Sequence, residues 1–405
     1  MDRRLLACLS GLLFLATTSI LWACPFCGPM QGQTLSKEVQ QARFVVFGPL
    51  SNPQARLNPD GTESGTTDLT IEAVIKDHEY LKGKKVLVVP RYIPVQEKDA
   101  KLRFLLFCDL FQERVDPYRG LPMLGKDVVA YLNGATRLEK APAPERLKFF
   151  FQYLDHEDPE LATDAYREFA ASEYRDVLGM IQGSDRAQLR ARLVHWLRDP
   201  NTPAFRLGFY GMLLGHCGDK AADLSVYQEL LADEQRAQLS GLDGILAGYV
   251  LLDPAKGWKH LEGVLSNPAL EFTTRYAGLR AVRFLWDFHP DLVPKKTLLA
   301  ALARLVEQRD IADLAIDDLR KWGEWSLTEK VLSYFSAESH DVSIVKRAII
   351  KYALRCPEPA ARAFIAEQRK LQPERVREIE ELLELEVPTP SVTPTPKPAT
   401  QPGGS

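Results

Sequence analysis

The spacing of apolar residues divides the chain into two regimes. Up to residue 132 the apolar stretches are short. Phe44-Val45-Val46-Phe47 runs into Gly48-Pro49, which predicts a short strand closed by a breaker. A loop tip with two glycines covers Asp60–Thr66. Leu69, Ile71, Ala73 and Ile75 then alternate with Thr70, Glu72 and Val74, the period-two pattern of a half-buried strand. The Lys82-Gly83-Lys84-Lys85 turn leads into Val86–Val89, and Leu102–Cys108 and Val128–Leu132 supply two more runs. Five short strands in about a hundred residues predict a small barrel or sandwich. Asp116-Pro117-Tyr118-Arg119-Gly120 reads as a loop turn between them. A helix from Thr34 to Ala42 precedes the strands, with Thr34 as N-cap and with Lys37 and Glu38 turned to solvent.

Ala-Pro-Ala-Pro at 141–144 marks a boundary, and beyond it the period changes to that of helices. Asp158-Pro159 opens a helix whose Ala162, Ala165, Tyr166 and Phe169 share a face. Asp199-Pro200 precedes Phe205, Phe209, Met212 and Leu213, and Asn267-Pro268 precedes Leu279, Val282 and Trp286. Asp310 leads to Ile311, Ala315, Leu319 and Trp322, and Asp341 to Val345, Ala348, Ile349 and Tyr352. Each pairs a capping side chain with an apolar row at helical spacing. The caps lie 41, 68, 43 and 31 residues apart, against about 40–47 for a HEAT or armadillo unit. These segments also resemble HEAT repeats in detail, with an arginine soon after the turn residue: Asp199 with Arg206, Asn267 with Arg275, Asp341 with Arg347. The resemblance covers residues 145–385 and implies that such pairs stitch neighbouring turns together.

Composition narrows the class. Hydrophobic residues at 45% and charged residues at 26% are ordinary for folded domains. A formal charge of −3, from 51 basic and 54 acidic residues, gives no one-sign field, so no nucleic acid is expected as a partner. Arg3 and Arg4, the uncharged run Leu5–Trp22 and the small Ala23 follow the order of a secretory signal over residues 1–23. Leu21-Trp22-Ala23-Cys24 resembles a lipoprotein box, which implies lipidation of Cys24 and membrane anchoring through the N-terminus. The tail 387–405 is rich in proline and threonine, lacks large apolar side chains and is expected to be disordered.

Chemistry concentrates in Cys24-Pro25-Phe26-Cys27. Two cysteines at this spacing close a small disulfide ring, or lower one thiol's pKa so that it attacks another disulfide. The motif resembles the glutaredoxin active site, which makes Cys24 and Cys27 the catalytic candidates, although no strand precedes them here. The β region over 24–135 resembles a netrin-like module, the OB-type barrel of tissue inhibitors of metalloproteinases. It shares a leading cysteine pair, the strand Arg43–Gly48 and the run Thr70–Lys76 into Lys82-Gly83. That resemblance implies that Cys108 pairs with Cys24 or Cys27, and that a free Cys24 amine and carbonyl would chelate a protease's zinc. Cys24, Cys27 and Cys108 supply three thiolates where a structural zinc needs four ligands, so no metal and no cofactor is expected. Gly120 to Asp127 approaches a phosphate loop but places Asp127 where Ser or Thr is required. Cys217, Cys356 and the scattered histidines read as core residues.

The sequence therefore predicts an α+β multidomain chain. A small five-stranded OB-like β barrel over 24–140 is followed by an all-α HEAT-like solenoid over 141–386. The expected function is that of an exported, periplasmic or extracellular, non-enzymatic scaffold whose repeat surface binds a protein partner. A thiol–disulfide oxidoreductase and a protease-inhibiting β module are the alternatives. The whole chain also resembles uncharacterised exported bacterial proteins with a Cys-Pro-x-Cys start and a helical body.

Overall fold

The computed structural model describes residues 25–27, 32–58, 63–95, 102–112, 114–233 and 240–386. The signal segment, Cys24 and the proline-rich tail lie outside the described residues. The chain forms two compact units: Pro29–Met180, to which Met1–Pro25 is assigned, and Ile181–Ser405, to which Phe26–Gly28 is assigned. The division thus falls beyond the Ala-Pro-Ala-Pro stretch, and the first helices after it group with the β part. No helix among the described residues is long and apolar enough to cross a membrane.

In the first unit, α1 (Leu35–Gln41) is capped by Thr34, whose hydroxyl accepts from the Lys37 N–H. Seven strands follow: β1 (Phe44–Gly48), β2 (Leu50–Leu57), β3 (Glu63–Thr70), β4 (Ala73–Lys76), β5 (Val86–Val89), β6 (Arg103–Phe111) and β7 (Arg114–Met123). They form two antiparallel sheets rather than the expected five-stranded barrel, ordered β4-β1-β6-β7 and β2-β3-β5. One long hairpin feeds both sheets and bends where β1 meets β2 and β3 meets β4. At that corner the Thr70 N–H donates to Pro49 O and the Glu72 N–H to Phe47 O. Gly48 permits the bend, because a Cβ there would lie 1.7 Å from Thr70 O. Closure fails because β5 pairs only with β3 and β7 only with β6. Pro117 and Pro122 on β7 remove N–H donors from that edge. The two sheets bury Phe44, Val46, Leu69, Leu87, Leu106 and Cys108 between them.

Two further expectations change here. The stretch 116–120 is part of β7 and not a loop. Val128–Leu132 is not a strand but lies in α2 (Asp127–Arg137), whose buried Val128, Tyr131, Leu132 and Ala135 follow helical spacing. Beyond it come α3 (Ala143–Phe151), α4 (Pro159–Ala170) and α5 (Tyr174–Gln182). Asp158 caps α4 as expected, accepting from the Glu160 N–H at 3.0 Å.

The second unit is a helical repeat stack. Its helices are α6 (Arg186–Arg198), α7 (Ala204–Cys217), α8 (Lys220–Ala232), α9 (Leu242–Leu252), α10 (Pro254–Ser266) and α11 (Phe272–Phe288). They continue with α12 (Lys295–Val306), α13 (Ala312–Trp322), α14 (Thr328–Ser333), α15 (Ser343–Arg355), α16 (Pro359–Leu371) and α17 (Pro373–Leu385). Even-numbered helices form one row and odd-numbered helices the other, and neighbours pack both within and across rows. Side chains reach from one repeat to the next. Arg190 pairs with the buried Asp223, Arg275 grips Asp310 at 2.9 and 2.5 Å, and Lys351 meets Glu386 at 2.5 Å. Such links span 31 to 35 residues, so the repeat is shorter than the spacing of the expected caps suggests. The reason is that Asp199 and Asn267 end helices instead of starting them; they accept from Asn201 N and Ala269 N inside the turns.

Two glycine triplets set the tightest approach in the stack. Gly208, Gly211 and Gly215 on α7 face Gly241, Gly244 and Gly248 at and along α9. A Cβ on Gly244 would lie 2.2 Å from Gly208 O, and one on Gly248 2.3 Å from Gly211 O.

Candidate functional site

The thiols come first. Cys108 is a free, buried thiol in the β core, as Cys217 is in α7 and Cys356 is after α15. This corrects the expected pairing of Cys108 with Cys24 or Cys27: its side chain points between the sheets, where burial pushes its pKa up to about 12. Such a thiol is a core residue and not a nucleophile. Cys27 does not titrate as a free thiol, and its sulfur partner lies outside the described residues. Among the described residues no group of three or more His, Cys, Asp or Glu side chains is placed to hold a metal ion.

Phe26, between the two cysteines of the motif, belongs to the second unit and is buried there. Its ring lies 4.8 Å from Phe284, which lies 5.1 Å from His289, which in turn lies 5.5 Å from His216. The sequence scatters these histidines singly, and the repeat stack brings them together. Burial lowers His216 to about 3 and His289 to about 4, so both are neutral at physiological pH.

In the first unit three carboxyls are drawn inward. Glu38, expected on the solvent side of α1, is buried and ion-paired with Arg119 of β7; burial raises its pKa more than Arg119 lowers it. Asp164 of α4 accepts from the Leu35 N–H at 2.8 Å and from the Tyr131 hydroxyl at 2.7 Å. Burial raises it to about 7 in spite of both bonds. Glu168, one turn on, is raised by burial while the Thr34 and Ser36 hydroxyls nearby oppose the shift. It borders a half-open cleft of about 710 Å³ edged by α1, β4, α2, α3 and α4. The signal that could have found these acids is their position: Asp164 and Glu168 flank the apolar row Leu161, Ala165 and Phe169.

In the second unit, one stripe of α11 carries Phe272, Tyr276, Arg283 and Trp286. Phe272 stacks on Tyr276 at 5.8 Å, and Arg283 lies over the Tyr276 ring at 5.8 Å. Trp286 stacks on Trp322 of α13 at 4.2 Å and 10°. Arg283 is held by Asp318 at 2.8 Å, and Lys295 lies 5.4 Å from the Trp286 ring. Asp287 is raised to about 6, mainly by burial and next by the charge of Asp318. Trp286 and Trp322 end the apolar rows seen in the sequence, but both remain half-exposed where Leu279 and Leu319 are buried.

No protein-family model and no curated protein matches the chain. Among solved structures it is similar to human deoxyhypusine hydroxylase in complex with glycerol. The identity is 13%, over 61% of this chain and 97% of that one, with a TM-score of 0.25. An overlap that low carries no argument about this chain.

Proposed function

We propose that this is an exported, non-enzymatic binding protein whose helical repeats, of the HEAT kind they resemble, hold a protein partner. The β-containing unit serves as its N-terminal module, and the predicted signal segment is the basis for export. The observation that carries this reading is the α11–α13 stripe of Phe272, Tyr276, Arg283, Trp286 and Trp322. Aromatic and arginine side chains dominate protein interfaces, and these already stack on one another. A partner would therefore bury large rings at little cost in side-chain ordering.

The test replaces Trp286→Ala and Trp322→Ala together in the full chain and compares capture of partners from the cell envelope. Both rings are half-exposed, so the fold should survive, as a thermal melt would check. Losing two stacked anchors is expected to weaken capture at least tenfold, since a single anchor of this kind is worth ~2 kcal/mol. Unchanged capture by the double variant contradicts the reading.

A further inference from the structure

The cleft in the first unit has a polar floor that the protein leaves unfinished. Ser36 Oγ and Glu168 Oε1 are both sealed from solvent, and neither has a hydrogen-bond partner among the described residues. Buried polar atoms are nearly always paired, so a donor and an acceptor facing a cleft together are evidence of something that enters it. One hydroxyl can serve both: it donates to Glu168 Oε1 and accepts from the Ser36 hydroxyl.

The surroundings specify more. Lys37, Lys76 and Arg146 line the cleft against Glu139 and Glu168, three cations to two carboxylates. Lys37 and Arg146 both act electrostatically on Glu168, which places their charges toward the floor. Lys76 Nζ donates to Gln40 O and Ala42 O, both at 2.6 Å, which leaves one of its three hydrogens for a ligand. Arg146 Nη1 donates to Glu139 O at 3.3 Å and keeps the rest of its fork for an anion. Val39, Ile75, Ala135 and Phe150 supply apolar wall suited to the C–H face of a ring. A volume of about 710 Å³ exceeds what a simple ion needs and falls within the range of small-molecule sites.

We propose that this cleft binds a sugar acid, with the carboxylate against Lys37, Lys76 and Arg146 and a ring hydroxyl between Ser36 Oγ and Glu168 Oε1. The site is independent of the partner surface on the helical repeats, and neither depends on the other. The same uronate chemistry occurs in free sugar acids and at the end of an acidic polysaccharide.

Titration calorimetry of the full chain with D-galacturonate, digalacturonate, D-galactose and acetate tests it. Galacturonate should bind, and galactose and acetate, each lacking one half of the recognition, should bind at least tenfold more weakly. Tighter binding of digalacturonate assigns the site to a chain end, and equal binding to the free acid; both support the proposal. Arg146→Ala should weaken galacturonate at least tenfold, the loss expected for one charge-assisted hydrogen bond. Lys37→Gln, at an exposed position that does not endanger folding, should weaken it in the same direction. No binding of either uronate at about 10 mM, the range where weak sites are still measurable, overturns the proposal, because water alone then completes the floor. So does acetate binding as tightly as galacturonate, or binding that neither substitution changes.

Discussion

Asp164 joins three helices through one carboxyl: its own α4, the start of α1 through the Leu35 N–H, and α2 through Tyr131. Its ordinary pKa of 3.8 rises to about 7 in the folded chain, so the folded state holds the proton more tightly than the unfolded one. Stability from this group is therefore full below the ordinary carboxylate range and is lost as pH rises through 7. The first unit should gain melting temperature on acidification from pH 7 to 4, and Asp164→Asn should flatten that gain, as thermal melts across the range would record. A steep gain retained in the variant would place the titration elsewhere. The histidine pair has the opposite sign. With pKa values lowered from 6.5 to about 3 and 4, its contribution is present above pH 6.5 and falls away below it. Little of this was legible in sequence. Glu38 was expected to face solvent because a glutamate on a short exposed helix usually does, and only β7, folding back from far along the chain, supplies Arg119 to bury it.

At the scale of elements, the closest packing is that of α7 on α9. Gly248→Ala would place a methyl 2.3 Å from Gly211 O, a backbone atom with no freedom to retreat. The substitution should cost about 3 kcal/mol, the upper range for overpacking. Gly263→Ala, in α10 where a Cβ meets nothing within 4 Å, should stabilise slightly through helix propensity. Chemical denaturation separates the two, and similar effects at both sites would refute the close approach. The triplets were visible in the sequence as glycines, but their spacing has meaning only once two helices are known to face each other. Strands β1, β5 and β6 were legible because their apolar runs are bounded by breakers or charge. Val128–Leu132 was not, because five apolar residues fit either period, and the deciding Ala135 lies outside the run. The β7 strand was hidden by Pro117, which an edge strand tolerates beside the register shift at Phe107/Cys108.

For the whole molecule, the periodicity distinguished a strand-rich start from a helical body, and the structure agrees at that level. The closed barrel did not follow, since closure depends on which edges pair and not on how many strands exist. The repeat length was misjudged for a related reason. Turn residues such as Asp199 and Asn267 look like caps in sequence, whereas the repeat is set by side chains such as Arg275 reaching the next turn. The binding surface was the least legible feature. Trp286 and Trp322 satisfy the apolar pattern as well as any core residue, and only stacking exposes their edges. The central claim is that partners meet the stack on the α11–α13 stripe, and site-specific photo-crosslinking tests it most directly. A photoreactive residue at the exposed Phe272, compared with one at the exposed Glu262 of α10, reads which row a partner touches. The account predicts partner adducts from position 272 and none from 262. Equal yields from both positions, or adducts from 262 alone, would contradict it.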